Sequence, residues 1–269
     1  MTAVLSIFIT NDVALMVVVP ITLATKVADL EKVIVLEAMA ANGGSSISPF
    51  GNPQNIFIYF HFNIHFLDFI KEIFPLFLVS TALIILLTPK KSVFSSMGKY
   101  IIFDKKTFLY LVFFAVFIAA VLGFLPLWVG FFIILPLIFI DRQLFKVDYF
   151  LLGTFFFFFG FTDNIHHVFN IHFHKPSQVF LYSAFLSQVI SNVPATLFLA
   201  DFVHHWQALL WGVSVGGFGN LIGSLANLIA YKLYVKEKGN SLKFFLTFHI
   251  IGYIFFIAGI VLFFLIYIC

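Results

Sequence analysis

Charge is scarce in this chain, and the scarcity excludes most soluble folds. Only 10% of its 269 residues are charged, against about 25% in an ordinary soluble domain. With 62% hydrophobic residues and a mean hydropathy of +1.08, a water-soluble core cannot absorb the apolar surplus. The lipid bilayer is therefore the first expected partner. Cysteine is nearly absent as well. Cys269 is the last residue, which excludes an intrachain disulfide framework and a cysteine-based metal cluster. Lysine and arginine sit in short loops between apolar runs rather than on one basic face, so nucleic acid is not an expected partner. No H-E-x-x-H pattern occurs, and no enzymatic activity is expected. A basic leader is missing too: the apolar run Ala3–Ile9 leads straight into Thr10-Asn11-Asp12, which does not read as a signal peptide.

What is present is apolar sequence in long runs, including 41 phenylalanines that add bulk but name no chemistry. A membrane-spanning helix needs about 20 such residues. Segments 70–88 and 244–268 read as ordinary spans. Residues 107–140 carry no charge and have basic residues on both sides, Lys105 and Lys106 before and Arg142 after. Both ends then lie on the cytoplasmic side, so the run is two passes, 107–123 and 124–140, turning near Gly123–Pro126. A further span is expected at 147–161.

Four other apolar runs are interrupted in the middle. Segment 3–24 breaks at Thr10-Asn11-Asp12, and 33–59 breaks at N-G-G-S-S-I-S-P-F-G-N-P (residues 42–53). Segment 177–203 breaks at Ser191-Asn192-Val193-Pro194, and 208–231 at G-G-F-G-N-L-I-G-S (residues 216–224). The order is the same twice: a compact polar tip, a glycine-and-asparagine break, an intact span. Asn11 and Asn192 are 181 positions apart, Gly43 and Gly216 are 173, and Gly51 and Gly223 are 172. That is an internal repeat. The expected organisation is a first repeat at 1–88, a basic cytoplasmic loop at 89–106 and a second repeat at 107–269.

Charge tests the topology. If the first hairpin opens to the cytoplasm and the second outward, thirteen Lys and Arg residues fall inside and only Lys71 and Lys175 outside. That bias requires inverted repeats. The expected fold class is an all-α polytopic membrane protein with two inverted-topology repeats, re-entrant hairpins and discontinuous helices, the first repeat being incomplete at its N-terminus. The expected location is the cell (inner) membrane, with the basic loops cytoplasmic.

Irregular backbone at membrane depth is tolerated only where protein or a watery cavity covers it. Half-helix ends there present free N–H groups to anions and carbonyls to cations. Glycine permits close approach, and Asn and Ser supply neutral donors and acceptors. Glu37, in the half-helix before the first break, and Asp201, about two and a half turns after Asn192, are intramembrane carboxylates and proton-relay candidates. Eight of the nine histidines, among them His166, His167, His172 and His174, are expected at the outer surface rather than on a metal.

The tips and breaks resemble those of the ion transporter superfamily, most closely the arsenical-pump and citrate-transporter-like permeases, which are related to sodium-coupled dicarboxylate carriers. The resemblance covers nearly the whole chain. It implies a homodimeric secondary carrier for a small ion, working by an elevator-like motion, with a sodium ion or proton as coupling ion and no cofactor. A sodium/proton antiporter of the same superfamily is the alternative. Carried over by motif, Thr10, Asn11 and Asp12 pair with Asn42, Gly43, Gly44, Ser45, Ser46, Gly51 and Asn52. Ser191, Asn192 and Pro194 pair with Gly217, Asn220, Gly223 and Ser224. Neither tip has the Ser-Asn-Thr of the dicarboxylate carriers, and Asp12 would repel a dicarboxylate. Relative to the family, about three helices before the first hairpin are missing, which implies a preceding segment or a partner chain.

Overall fold

With no water at membrane depth, backbone groups are satisfied within helices, and helix is the only regular structure among the described residues. The structure is a computed structural model. It describes residues 1–25, 27–89, 105–121, 175–239 and 242–267, plus residues 124–126, 128–132, 149, 153, 156, 157, 160 and 173. The expected spans 124–140 and 147–161 are described only at those scattered positions. His166, His167, His172 and His174 lie outside them.

Contacts divide the chain into two compact units, residues 97–155 and the remainder. In the unit 97–155 the described helix is Lys105–Val121, where a span was expected at 107–123. The larger unit takes in both hairpin-and-break segments. Its helices are α1 (Thr2–Phe8), α2 (Asn11–Ala24), α3 (Leu30–Ser46), α4 (Pro53–His61) and α5 (Phe66–Leu87). With Lys105–Val121 as α6, the later ones are α7 (Pro176–Ile190), α8 (Asn192–Ala200), α9 (Trp206–Gly216), α10 (Leu225–Lys238) and α11 (Leu242–Tyr267).

Local chemistry explains where these helices stop. Asn52 accepts a hydrogen bond from the Asn55 N–H and Pro53 takes the first helical position, so α4 starts cleanly after the break. Gly239, at φ 80°, ends α10. Length then separates two classes. α5 and α11, with 22 and 26 residues, are long and apolar enough to cross a membrane among the described residues. At 1.5 Å per residue they reach about 33 and 39 Å, against a hydrocarbon core of about 30 Å. α1, α2, α4 and α7–α10 have 7 to 15 residues each and fall short alone.

Packing follows one scheme twice. α1 lies on α2 and α3, and α7 lies on α8 and α9; α3 meets α5, and α9 meets α11. Across the halves, α2 packs on α10 and α4 on α8, while α3 touches α11 and α9 touches α5. Small residues let the backbones approach, as expected where lipid gives no hydrophobic drive between helices. A side chain on Gly44 would run into Ala3 and Ser6, and one on Gly216 into Ala184 and Ser187. Ser6 and Ser187 are 181 positions apart, Gly44 and Gly216 172. The packing counterpart of Gly216 is thus Gly44, where sequence spacing had paired it with Gly43; Gly43 instead lies against Ser80 of α5.

Phenylalanine fills the core. Phe180 stacks on Phe263 at 3.8 Å between ring centroids, and Phe244 lies between Tyr234 and Phe248. The outer faces of α2, α5 and α11 expose Met16, Val17, Leu78, Ile85, Ile250 and Leu265, which suits contact with lipid.

Candidate functional site

Two residues, Ile9 and Thr10, part the helices at the first tip and one, Ser191, at the second, and the residue that follows opens a helix with its N–H free of intrahelical bonds. Both free N–H groups find the same partner. Asn11 N–H donates to the Gly51 carbonyl at 2.9 Å, and Asn192 N–H to the Gly223 carbonyl at 3.0 Å. Both acceptors have to be glycine: a Cβ on Gly51 would strike the Ser45 backbone, and on Gly223 it would lie 2.6 Å from the Gly216 carbonyl oxygen. The tips differ in one respect. Thr10 has ordinary extended angles (φ −61°, ψ 148°), whereas Ser191 stands at φ 75°, ψ 156°, a region that is essentially glycine's and costs about 1–3 kcal/mol. That strain lies at the second tip alone.

The breaks are closed from within by two asparagines 172 positions apart. Asn55 Nδ2 donates toward the carbonyls of Ser45, Ser46 and Ser48 at 3.2, 3.1 and 2.9 Å. Asn227 Nδ2 donates to Gly217 and Asn220 at 2.9 and 3.0 Å. These are the orphan carbonyls at the ends of α3 and α9, supplied with donors where water is absent. Small turns repeat also: Ser48 Oγ accepts from Phe50 N–H, and Asn220 Oδ1 accepts from the N–H of Ile222 and Gly223. Gln188 of α7 braces only the second break. Its Nε2 donates to Gly216 and Phe218 carbonyls at 2.6 and 3.1 Å, and its Oε1 accepts the Asn220 N–H.

A seam of carboxamides joins the two halves. Asn11 Nδ2 donates to Asn42 Oδ1 at 3.0 Å, and Asn42 Nδ2 donates to Asn227 Oδ1 at 2.7 Å and to Gly217 at 3.2 Å. Asn192 Nδ2 closes the group beside Gly217, whose Cβ would sit 3.1 Å from it. Asn11, Asn42, Asn192 and Asn227 are all buried. A neutral network avoids the cost of a buried charge and leaves oriented dipoles at the junction. The exception is Asp12, next to the first tip: its N–H donates to Asn11 Oδ1, and its buried Oδ1 has no partner among the described residues. Its counterpart at the second tip is Val193.

The remaining expected residues divide into braces and outliers. Ser45 and Ser46 hydroxyls donate to the Asn42 and Gly43 carbonyls of their own helix. Asn52 donates to Ser45 Oγ, Pro194 sits in the first turn of α8, and Ser224 caps α10 without a side-chain bond. Glu37 bonds Thr22 of α2. Asp201 stands at the end of α8, 3.7 Å from His61 of α4, with both side chains about a third exposed at 36% and 31%; it does not join the seam.

Sequence reading passed over Asn55, Asn227, Gln188 and Glu72. The 172-residue spacing was the signal for the first two. Gln188 has no counterpart, and Glu72 stands outside every break. Glu72 accepts from the fully buried Trp211 Nε1 at 2.7 Å and from the Tyr267 hydroxyl, tying α9 to α5 and α11. Glu72→Leu leaves the indole N–H without an acceptor, and a loss of about 1–3 kcal/mol is expected. Thermal unfolding in detergent checks this, since an unchanged midpoint would remove Glu72 from the scaffold. Gly212-Val213-Ser214-Val215-Gly216 has the G-x-S-x-G spacing of a hydrolase elbow, which requires a strand–turn–helix. Here it is continuous helix, with Ser214 Oγ buried and unbonded, so it builds no elbow.

Comparison with known proteins agrees with this architecture. The family model described as citrate transporter matches residues 1–216. An uncharacterized transporter of Methanocaldococcus jannaschii is 38% identical over 245 residues, covering 87% of this chain and 68% of that protein. The inner membrane protein YbiR of Escherichia coli is 35% identical over 255 residues, covering 86% of this chain and 67% of its own length. This helical, lipid-faced chain belongs to the citrate transporter family of membrane transporters.

Proposed function

We propose that the chain is a secondary active transporter that moves a small inorganic or organic ion, an anion permease of the arsenical-pump or citrate-transporter type coupled to sodium or protons. In this reading the two halves are inverted repeats, α1–α2 and α7–α8 are re-entrant hairpins, and the basic loops are cytoplasmic. The substrate site lies where the two tips meet the two breaks. The observation that carries it is the doubled bond from tip N–H to glycine carbonyl, with the asparagine seam between the halves. Half-helix ends meeting on neutral donors and acceptors supply what an ion needs after shedding water, without a fixed opposite charge. Asp12 at the first tip and Gln188 at the second break have no polar counterpart in the other half. The Asp12 carboxylate favours the second reading, a sodium/proton antiporter, because an unpaired buried acceptor suits a cation.

The test is a proteoliposome screen with arsenite, citrate, sulfate, sodium and protons. An imposed ion gradient is expected to drive saturable uptake or efflux, which Asn11→Ala and Asn192→Ala each abolish. Transport that survives both substitutions would sink the site assignment. Ungated current without exchange would replace the carrier by a channel.

A further inference from the structure

Glu37 is a carboxyl that neither tip nor break uses. It lies on α3 five residues before Asn42, about 7.5 Å along the axis. There it faces α2, where Thr22 Oγ1 donates to its Oε1 at 2.5 Å. Its other oxygen, Oε2, is buried, and among the described residues it has no hydrogen-bond partner and no lysine, arginine or histidine forms an ion pair with it.

The opposite half shows what this place looks like without a titratable group. The counterparts of Thr22 and Glu37 are Val203 and Leu209, both buried in the apolar core. The α2–α3 seam therefore carries a carboxyl and a hydroxyl, while the matching positions of the other half are buried aliphatics, Leu209 on α9 and Val203 three residues past the end of α8. Volume and packing alone do not call for the polar pair. An ionised carboxylate at such depth is costly unless a cation meets it. A metal ion needs several oxygen ligands, and here Thr22 and one carboxyl are at hand. A proton needs a single acceptor, and Oε2 is one. With the proton on Oε2, the Thr22 hydroxyl donates to Oε1 in the ionised and the protonated state alike.

Access and neighbours fit the same reading. A cleft of about 340 Å³ lies at the end of α2, lined by Pro20, Leu23, Ala24, Leu233, Lys236 and Glu237; it reaches Leu23, next to Thr22 in sequence, but neither Thr22 nor Glu37 lines it. α1, Thr2–Phe8, carries no charged side chain. Asp12 stands ten residues before Thr22 on α2, and the charged residues of α5 all precede Ile73. On α10, Lys236 and Glu237 are exposed at the cleft, and Lys243 of α11 is committed to Glu31.

We propose that Glu37 is the proton-binding residue of this carrier. The proton comes from water at the cleft end, adds to Oε2 and leaves from it, with no other bond changed. The proposal rests on the carrier reading above and deepens it by assigning the coupling ion to one side chain.

Infrared difference spectra of the reconstituted full chain, recorded between acid and alkaline pH, test it without a substrate. Wild type is expected to show the carbonyl stretch of a buried protonated acid that titrates. That band should vanish in Glu37→Gln, persist in Asp12→Asn and return in Glu37→Asp. The same band in Glu37→Gln overturns the proposal. In the transport arm, labelled citrate is the probe and pyranine inside the vesicles reports protons. Citrate entry is expected to acidify the wild-type lumen, and Glu37→Gln to lose that acidification. Unchanged acidification with citrate entry in Glu37→Gln also overturns it. If wild type moves none of the screened solutes, the carrier reading fails, while the infrared band still decides whether Glu37 holds the proton.

Discussion

Asn42→Ala is expected to abolish transport and to lower the unfolding midpoint. Asn42 carries the bonding from the first tip across to the second half. Its Oδ1 takes the Asn11 amide, and its Nδ2 serves Asn227 Oδ1 and Gly217. Removing it leaves the Asn11 donor and the Asn227 acceptor unpaired in a buried setting, at about 1–3 kcal/mol for each. Gly217 keeps the Asn227 bond, so the second break itself survives while its link to the first tip is cut. Asn42→Asp separates the terms: the acceptor for Asn11 remains, but two acceptor oxygens now face each other at Asn227. A double-mutant cycle with Asn227→Ala should give a coupling of about 0.5–3 kcal/mol. Uptake in proteoliposomes and thermal unfolding in detergent are the measurements. Wild-type uptake together with a wild-type midpoint in Asn42→Ala would remove the seam from the mechanism.

A valine at Gly216 or Gly44 is expected to do comparable harm by a different route. The Cβ on Gly216 would lie 2.5 Å from Ser187 Cβ and 3.0 Å from the Ala184 carbonyl oxygen, and on Gly44 it would collide with the Ala3 backbone. Backbone cannot swing aside as a flexible side chain can. Relief would have to part α7 from α9, or α1 from α3, and with them the tips from the breaks. A loss above about 4 kcal/mol places such a change among the exceptional destabilising substitutions. Size-exclusion profiles and melting curves in detergent should show a dispersed or early-melting protein for both variants. Alanine should be milder than valine at either place. A monodisperse Gly216→Val with a normal midpoint would mean that the α7–α9 seam tolerates separation.

Much of the arrangement was legible in residue order. Polar interruptions inside apolar runs at Asn11, Asn192 and Gly216 coincide with helix ends, because lipid forbids unsatisfied backbone elsewhere. The break expected from Asn42 onward begins later: α3 runs through Asn42 to Ser46, and only residues 47–52 leave the helix before Pro53. Family motifs brought Gly51 and Gly223 to the tips, and the structure ties each to its tip by one hydrogen bond. The pairing of Gly43 with Gly216 missed by one residue. Gly-Gly pairs occur in both breaks, and spacing alone does not tell which glycine of a pair faces the neighbouring helix.

Asn55 and Asn227 show why the remainder stayed hidden. Both stand inside ordinary helices, α4 and α10, and their sequence surroundings resemble those of any polar residue on a helix. Their role comes from carbonyls on a different helix segment that folding brings within 3.2 Å. The same holds for Glu72, whose partners Trp211 and Tyr267 are 139 and 195 positions away. Composition and hydropathy are sums over residues, and they suffice to place the chain in lipid and to mark where helices cannot continue. Hydrogen bonds are short-range and directional, so which amide meets which carbonyl is settled only when α2, α3, α9 and α10 are packed together. That packing gave the seam its partners and put Glu37 opposite Thr22, where the other half has Leu209 and Val203.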